Sequence, residues 1–279
     1  MKLEIRELDD NKATLIIEGA SPELVNSLRR VLIANTPKMA IEDVEFHMGI
    51  IRDEEGREYS SQAPLFDEII AHRLAMIPIP TDLKMFNFRD KCSCGGEGCP
   101  LCTLMYVINK KGPCTVYSGD LQPIGDTRFR VKEELIPIVK LKENQALLIY
   151  ATAVLGTGEQ HSKWQPVTIC GYQYYPEIKI NPEKVRDAKK CAESCPRGVL
   201  GVNKKGKLVV ENQELCNLCG HCMERCDEGA IEVKGNPTRF IFRFETDGSL
   251  TAKDALEYAL NYLNDKFNEF RDELSKAIG

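Results

Sequence analysis

Residues 21–35, SPELVNSLRRVLIAN, carry the pattern on which the fold assignment depends. Ser21 is typical of a helix N-cap and Pro22 of a first helical position, so the sequence predicts a helix over this stretch. Arg29 and Arg30 lie side by side at its middle. The apolar residues recur with the 3.6-residue period of an amphipathic helix. They are Leu24, Leu28, Val31 and Leu32.

Short β-like segments lie on both sides of this helix. A second helix is predicted at 65–77, where Pro64 precedes it and Pro78 ends it. The predicted strands are residues 2–8, 13–18, 38–50, 103–108, 146–155, 167–180 and 239–245. This mixture of elements predicts an α+β fold.

The composition limits the classes of function. The chain has 279 residues, 43% of them apolar, and a net charge of -5. It shows neither a long Lys/Arg run nor the roughly 18-residue apolar segment of a membrane helix. We therefore expect no direct nucleic-acid binding and no membrane association. All cysteines except Cys114 and Cys170 fall into two tight clusters, which favours a reducing, cytoplasmic location.

The last predicted helix begins near Thr251 and Asp254, which resemble a capping box. It continues almost to the C-terminus. Its apolar residues form a narrow stripe along a rod about 40 Å long. They are Leu256, Leu260, Leu263, Phe267, Phe270 and Leu274. Such a stripe either covers the chain's own sheet or packs against another chain, and the length of the seam favours another chain.

One cysteine cluster has the spacing of bacterial ferredoxins, Cys216-x2-Cys219-x2-Cys222-x3-Cys226. In that architecture the fourth ligand of a cluster comes from a distant Cys-Pro pair, here Cys195-Pro196. The sequence therefore predicts one iron-sulfur cluster, 4Fe-4S or 3Fe-4S, held by the four cluster cysteines. These are Cys195, Cys216, Cys219 and Cys222. Zinc, or a cysteine-rich domain without metal, is the alternative.

A second iron-sulfur cluster is not expected. Val185 and Ala188 stand where its first two ligands belong. Cys191 and Cys226 would then line the same vacant site, close enough for a disulfide to be feasible. The sequence does not decide whether they are joined.

The other cluster, Cys92-x-Cys94-x4-Cys99-x2-Cys102, places four thiols in one short loop with glycines between them. We call these four residues the loop cysteines. Four thiolates with no open position are typical of a structural zinc site. Free thiols or local disulfides are the alternatives.

Catalytic motifs are missing from the sequence. It contains no nucleophile elbow, no phosphate-binding loop and no metalloprotease helix. Gly156-Thr157-Gly158 indicates a turn, and the histidines are scattered singly. We expect no catalytic residues in this chain.

Three segments of the sequence resemble the α-type subunits of RNA polymerase. Residues 24–32, LVNSLRRVL, followed by PKMAIEDV at 37–44, are similar to the family's dimerisation motif. LFDEIIAHRLAMIP at 65–78 is similar to its second signature helix, and HSKWQPV at 161–167 also resembles the family. The inserted ferredoxin-like segment resembles that of the archaeal members.

The resemblance implies three domains. Residues 1–44 and 237–279 form a dimerisation domain, and 45–180 form a β-rich insertion domain that contains the zinc loop at 92–102. Residues 181–236 form a ferredoxin-like cluster domain.

The resemblance also implies a non-catalytic role in a nucleotidyltransferase complex, DNA-directed RNA polymerase. The expected partners are the smaller α-like subunit L, the large polymerase subunit known as B and the small subunits N and P. Residues 21–35 and the C-terminal stripe would form the seam with subunit L, and Arg29 and Arg30 would fix its register. The cluster would be structural or redox-sensing. The competing hypothesis is an iron-sulfur electron-transfer subunit of an oxidoreductase, and a weaker one is a free-standing sensor.

Overall fold

The computed structural model describes residues 1–52 and 54–278 and confirms the α+β class. The helices are α1 Pro22–Ala34, α2 Asp67–Ala75, α3 Ala188–Glu193, α4 His221–Arg225 and α5 Ala252–Ile278. The strands are β1 Lys2–Leu8, β2 Lys12–Glu18, β3 Pro37–Phe46, β4 Ile50–Arg52, β5 Glu58–Ser60, β6 Thr103–Lys111, β7 Cys114–Tyr117, β8 Gln122–Pro123, β9 Pro137–Leu141, β10 Ala146–Thr157, β11 Val167–Ile180, β12 Leu200–Val202, β13 Leu208–Val210 and β14 Ile231–Thr246.

Two larger sheets organise these strands. One has the order β1-β2-β14-β11 and the other the order β3-β10-β6-β8. Smaller two-stranded sheets pair β4 with β5, β7 with β9 and β12 with β13. Strand β1 therefore lies at a sheet edge, where it pairs antiparallel with β2 and is interrupted by an irregularity between Ile5 and Glu7.

Contacts divide the described chain into two compact units. The first unit contains residues 1–8, 13–27 and 170–244. The second contains residues 9–12, 28–169 and those from 245 onwards. The three-domain division expected from the sequence stays a prediction.

The core of the second unit lies between the β3-β10-β6-β8 sheet and α2. Ile70 and Leu74 of α2 are fully buried in it, as is Tyr106 of β6. The hydroxyl of Tyr106 donates to the carbonyl of Phe129 at 2.6 Å, so the buried phenol is satisfied.

Gly156 and Gly158 are needed for close packing, which the prediction of a simple turn missed. Gly156 and Thr157 belong to β10. A Cβ on Gly156 would lie 2.4 Å from the Trp164 ring, and one on Gly158 would lie 2.3 Å from the carbonyl oxygen of Ile33. Both distances are far below van der Waals contact, so only glycine fits at either position.

Helix α5 starts as predicted and leaves most of its stripe uncovered. The backbone N–H of Asp254 donates to Thr251 Oγ1 at 3.1 Å. Ala252, Ala255 and Ala259 face the core, yet four stripe residues are exposed. These are Leu260 (50%), Phe267 (62%), Phe270 (68%) and Leu274 (46%). The chain's own described residues therefore do not cover the stripe.

Helix α1 differs from the prediction that its apolar face meets a partner. Leu28, Val31 and Leu32 are buried within the chain itself, and only Leu24 is exposed. Arg29 is half-buried and Arg30 is exposed.

None of the described helices, including the 27-residue α5, combines the length and hydropathy of a membrane span.

Candidate metal centres

The loop cysteines meet in the second unit, between a short 3-10 helix at Arg89–Lys91 and β6. Cys92 and Cys102 are buried, and Cys94 and Cys99 are half-buried. Gly95, Gly96 and Gly98 all adopt positive φ angles of 70°, 89° and 98°. Glycine adopts such angles without steric cost, which allows so short a segment to fold back on itself.

The sulfur positions fit one tetrahedral ion. Sγ–Sγ distances are 3.6 Å for Cys92 and Cys99, 3.6 Å for Cys94 and Cys102, and 4.0 Å for Cys99 and Cys102. A tetrahedron with zinc-sulfur bonds near 2.3 Å has edges of about 3.8 Å. All four ligand atoms lie within 4.8 Å of one another. The loop therefore presents a closed four-thiol site.

The environment divides the protons of this site unequally. Hydrogen bonds from the backbone, chiefly from Gly98, lower the pKa of the Cys94 thiol to about 6. Burial raises the pKa of Cys102 to about 12. Cys94 is thus a thiolate at neutral pH, whereas Cys102 must lose its proton when a cation binds.

Two neighbouring side chains brace the loop. Arg89 Nε donates to the carbonyl oxygen of Gly96 at 2.9 Å, and Thr103 Oγ1 donates to the carbonyl of Cys99 at 3.0 Å. Sequence spacing did not identify Arg89, because nothing in a linear motif shows that its guanidinium reaches a carbonyl within the loop. Its position just before the first cysteine is the one available signal.

The cluster cysteines meet in the first unit. Cys216 and Cys222 are buried, Cys195 is half-buried and Cys219 is exposed. Positive φ angles at Leu218 (60°) and Gly220 (77°) turn the backbone between the ligands. The four residues line one small pocket. Burial raises the pKa of both Cys216 and Cys222.

This site differs from the loop site in the spacing of its sulfur atoms. Within the described residues, no three of the cluster cysteines bring their sulfur atoms within 4.8 Å of one another. A single tetrahedral zinc ion needs edges of about 3.8 Å, so these sulfur atoms, unlike those of the loop cysteines, are not spaced for one zinc ion. Four soft thiolates suit iron and sulfide well.

A disulfide lies where the ligands of a second iron-sulfur cluster were considered in the sequence. Cys191 and Cys226 are joined, with Cα atoms 5.0 Å apart. Val185 and Ala188 pack against the same small apolar core that contains Cys191. The disulfide and the apolar residues thus occupy the space where further ligands would stand.

The remaining single cysteines stay outside both centres. Cys114 begins β7 and its thiol faces the carbonyl of Lys111 at 3.3 Å. Cys170 lies in β11. Neither joins a group of ligand atoms in the described part of the chain.

Comparison with known proteins agrees with the motifs in the sequence. The model of the RNA polymerase Rpb3/Rpb11 dimerisation domain matches residues 14–267. DNA-directed RNA polymerase subunit Rpo3 of Picrophilus torridus is 46% identical over 275 residues, which cover 98% of this chain and 100% of the relative. The Rpo3 subunit of Thermoplasma volcanium is 46% identical over 99% of this chain and 100% of its own length.

A more distant relative aligns over nearly the same length. The Rpo3 subunit of Archaeoglobus fulgidus is 40% identical over 99% of this chain and 97% of its own. Because both the family model and these relatives span nearly all of the chain, the chain belongs to the Rpb3/Rpb11 dimerisation-domain family, in its archaeal α-type branch.

Proposed function

We propose that the chain is a non-catalytic assembly subunit of a cytoplasmic archaeal DNA-directed RNA polymerase. The observation that carries this proposal is the exposed stripe of α5. Phe267 and Phe270 are 62% and 68% exposed, although apolar side chains of this size gain free energy by leaving water. A chain of a dimerisation-domain family with such a seam needs a second chain to cover it.

The proposed partner on this seam is the smaller α-like subunit L. The resulting heterodimer would be the platform on which the large polymerase subunit known as B and the small subunits N and P assemble. We expect an obligate interface of about 2,000 Å² or more, and no contact of this chain with nucleic acid. An oxidoreductase subunit, the competing hypothesis, gains no support from the family to which the chain belongs.

The two metal centres brace this scaffold. The loop cysteines would hold structural zinc, whose closed coordination clamps residues 92–102. The cluster cysteines would hold one iron-sulfur cluster, which supplies redox-active iron when bound. The chain's own residues provide four thiolates, two of them buried, and a pocket that leaves Cys219 at the surface.

The assembly role is tested by placing a charge in the seam. Leu260→Asp and Phe267→Asp should each abolish co-purification with co-expressed subunit L, because an unpaired carboxylate would be buried in an apolar interface. Asn261→Asp is the matched control, since it adds the same charge at an exposed position on the face of α5 turned away from the stripe. Undiminished pairing of both stripe variants would refute the proposal.

A further inference from the structure

A single carboxylate joins the first cluster ligand to the N-terminal strand. Glu214 lies two positions before Cys216, in the short 3-10 helix Gln213–Leu215. Arg6 of β1 donates to Glu214 Oε1 through Nε at 3.0 Å and through Nη2 at 2.7 Å. The two residues are 208 positions apart in the sequence but belong to the same compact unit. The contact is therefore one that only the folded unit creates.

Two other strands of the same sheet hold this carboxylate in place. The Tyr175 hydroxyl of β11 donates to Glu214 Oε1 at 3.4 Å. The Arg239 guanidinium of β14 lies 3.9 Å from the centre of the Tyr175 ring, a cation-π contact that fixes the ring. Side chains of β1 and β11 therefore contact Glu214 directly, and one of β14 supports the Tyr175 ring.

The backbone of the ligand loop is attached to the same sheet. Gln173 Nε2 of β11 donates to the carbonyl oxygen of Cys216 at 3.2 Å. Gln213 Nε2 donates to the carbonyl of Pro176. Cys216 and Glu214 are thus attached to the same strand, so a displacement of Cys216 would also move Glu214. We call the contact between Arg6 and Glu214 the latch.

Strand β1 has few other supports. All of its residues are exposed, and its only strand neighbour within the described chain is β2. Leu3 and Ile5 remain 55% and 56% exposed. Beyond the ladder with β2, side-chain contacts hold the strand. Thr14 Oγ1 donates to Glu7 Oε2 at 3.3 Å, Arg239 lies 4.0 Å from Glu4, and Arg6 makes the shorter ion pair with Glu214 at 2.7 Å.

We propose that Glu214 is a positioning residue that couples occupancy of the cluster site to the order of β1. Binding of the cluster fixes Cys216 and presents Glu214 to Arg6, which holds the edge strand on the sheet. Loss of the cluster frees residues 212–216 and weakens that hold. This inference rests on the proposed iron-sulfur cluster. Because coupling is reciprocal, weakening the latch must also loosen the cluster.

Hydrogen exchange of the β1 amides tests the latch in the anaerobically purified 279-residue chain. Glu214→Gln keeps the shape of the side chain and removes its charge, and β1 exchange should rise about fivefold, a modest factor because the pair is partly exposed. Glu228→Gln removes a charge from the same domain and should change nothing. Tyr175→Phe removes one hydrogen bond to Glu214 while keeping the ring, and it should give a smaller rise in β1 exchange. It replaces Glu214→Gln in the test if that variant folds poorly.

A double-variant cycle tests the coupling. Cys216→Ser should accelerate β1 exchange when Glu214 is present and have little further effect in Glu214→Gln. Cluster absorbance should also decay faster in Glu214→Gln than in Glu228→Gln on exposure to an iron chelator. Equal effects of Cys216→Ser in both backgrounds, or unchanged β1 exchange in Glu214→Gln, would overturn the inference.

Iron analysis of the wild-type chain separates this inference from the proposed cluster. Without iron, both the cluster and the coupling are rejected, although faster β1 exchange in Glu214→Gln would still establish the contact between strand and loop. If iron is present and β1 exchange is unchanged in Glu214→Gln, the proposed cluster is supported and the coupling is rejected.

Discussion

The two cysteine centres are built in different ways. The loop cysteines lie within residues 92–102, and three pairs of their sulfur atoms are 3.6–4.0 Å apart. The cluster cysteines come from two segments, at Cys195 and at 216–222, and no three of their sulfur atoms lie within 4.8 Å of one another. A local motif can arrange its ligands before the rest of the chain folds, whereas a site with a distant fourth ligand depends on the surrounding domain.

The largest expected effect is that each cysteine variant loses the metal of its own centre and keeps the other. Cys102→Ser should remove zinc and leave iron in place, while Cys222→Ser should remove iron and leave zinc. Because binding free energies of structural zinc reach about 10 kcal/mol or more in peptides, losing the ion should destabilise the second unit by several kcal/mol. Metal analysis and urea unfolding measure both effects. If either variant lost both metals equally, the two centres would not be independent.

The disulfide ranks next. Cys191→Ser combined with Cys226→Ser opens a loop whose ends are 35 residues apart, and chain entropy predicts a loss of about 4 kcal/mol in the unfolding free energy of the oxidised protein. Cys114→Ser is the control outside both centres. Unfolding with and without a dithiol reductant should reproduce the loss in the wild type. An unchanged unfolding midpoint would show that the bridge contributes no stability.

A smaller effect is expected at the brace of the loop site. Arg89→Ala removes the hydrogen bond to the Gly96 carbonyl and should weaken zinc binding about tenfold. Lys84→Ala, an exposed cation nearby in the sequence, serves as the control. Competition with a zinc chelator measures the affinity, and the iron content should stay unchanged. Equal affinities in the two variants would mean that the loop needs no brace.

The smallest effect concerns pH. Cys94, with a pKa of about 6, carries no proton at pH 7–8, whereas Cys102, with a pKa of about 12, releases one when zinc binds. Zinc affinity should therefore fall as the pH is lowered, because protons compete for the thiolates. Fewer than four protons should be released per ion. Calorimetry in two buffers of different ionisation enthalpy counts them, and four released protons would contradict the low pKa of Cys94.

Several elements were predictable because their signals are local. The predicted and observed bounds of β11 agree, and α1 and α5 begin next to the predicted Ser21 and Thr251 caps. Strand β14 starts at Ile231 rather than at the predicted Arg239, because it lies between β2 and β11 and this pairing depends on contacts distant in sequence. The burial of Leu28, Val31 and Leu32 within the chain was also unpredictable, since periodicity identifies an apolar face but not what covers it.

By itself, the sequence determined the helix caps, the family and the apolar stripe, and it predicted the ligand sets, because each depends on residue type and spacing over a short stretch. Only the tertiary structure joined Cys191 to Cys226, left the α5 stripe uncovered and brought Arg6 to Glu214. These contacts connect segments far apart in the chain. Their formation depends on the path of the backbone and on strand pairing, which no local pattern encodes.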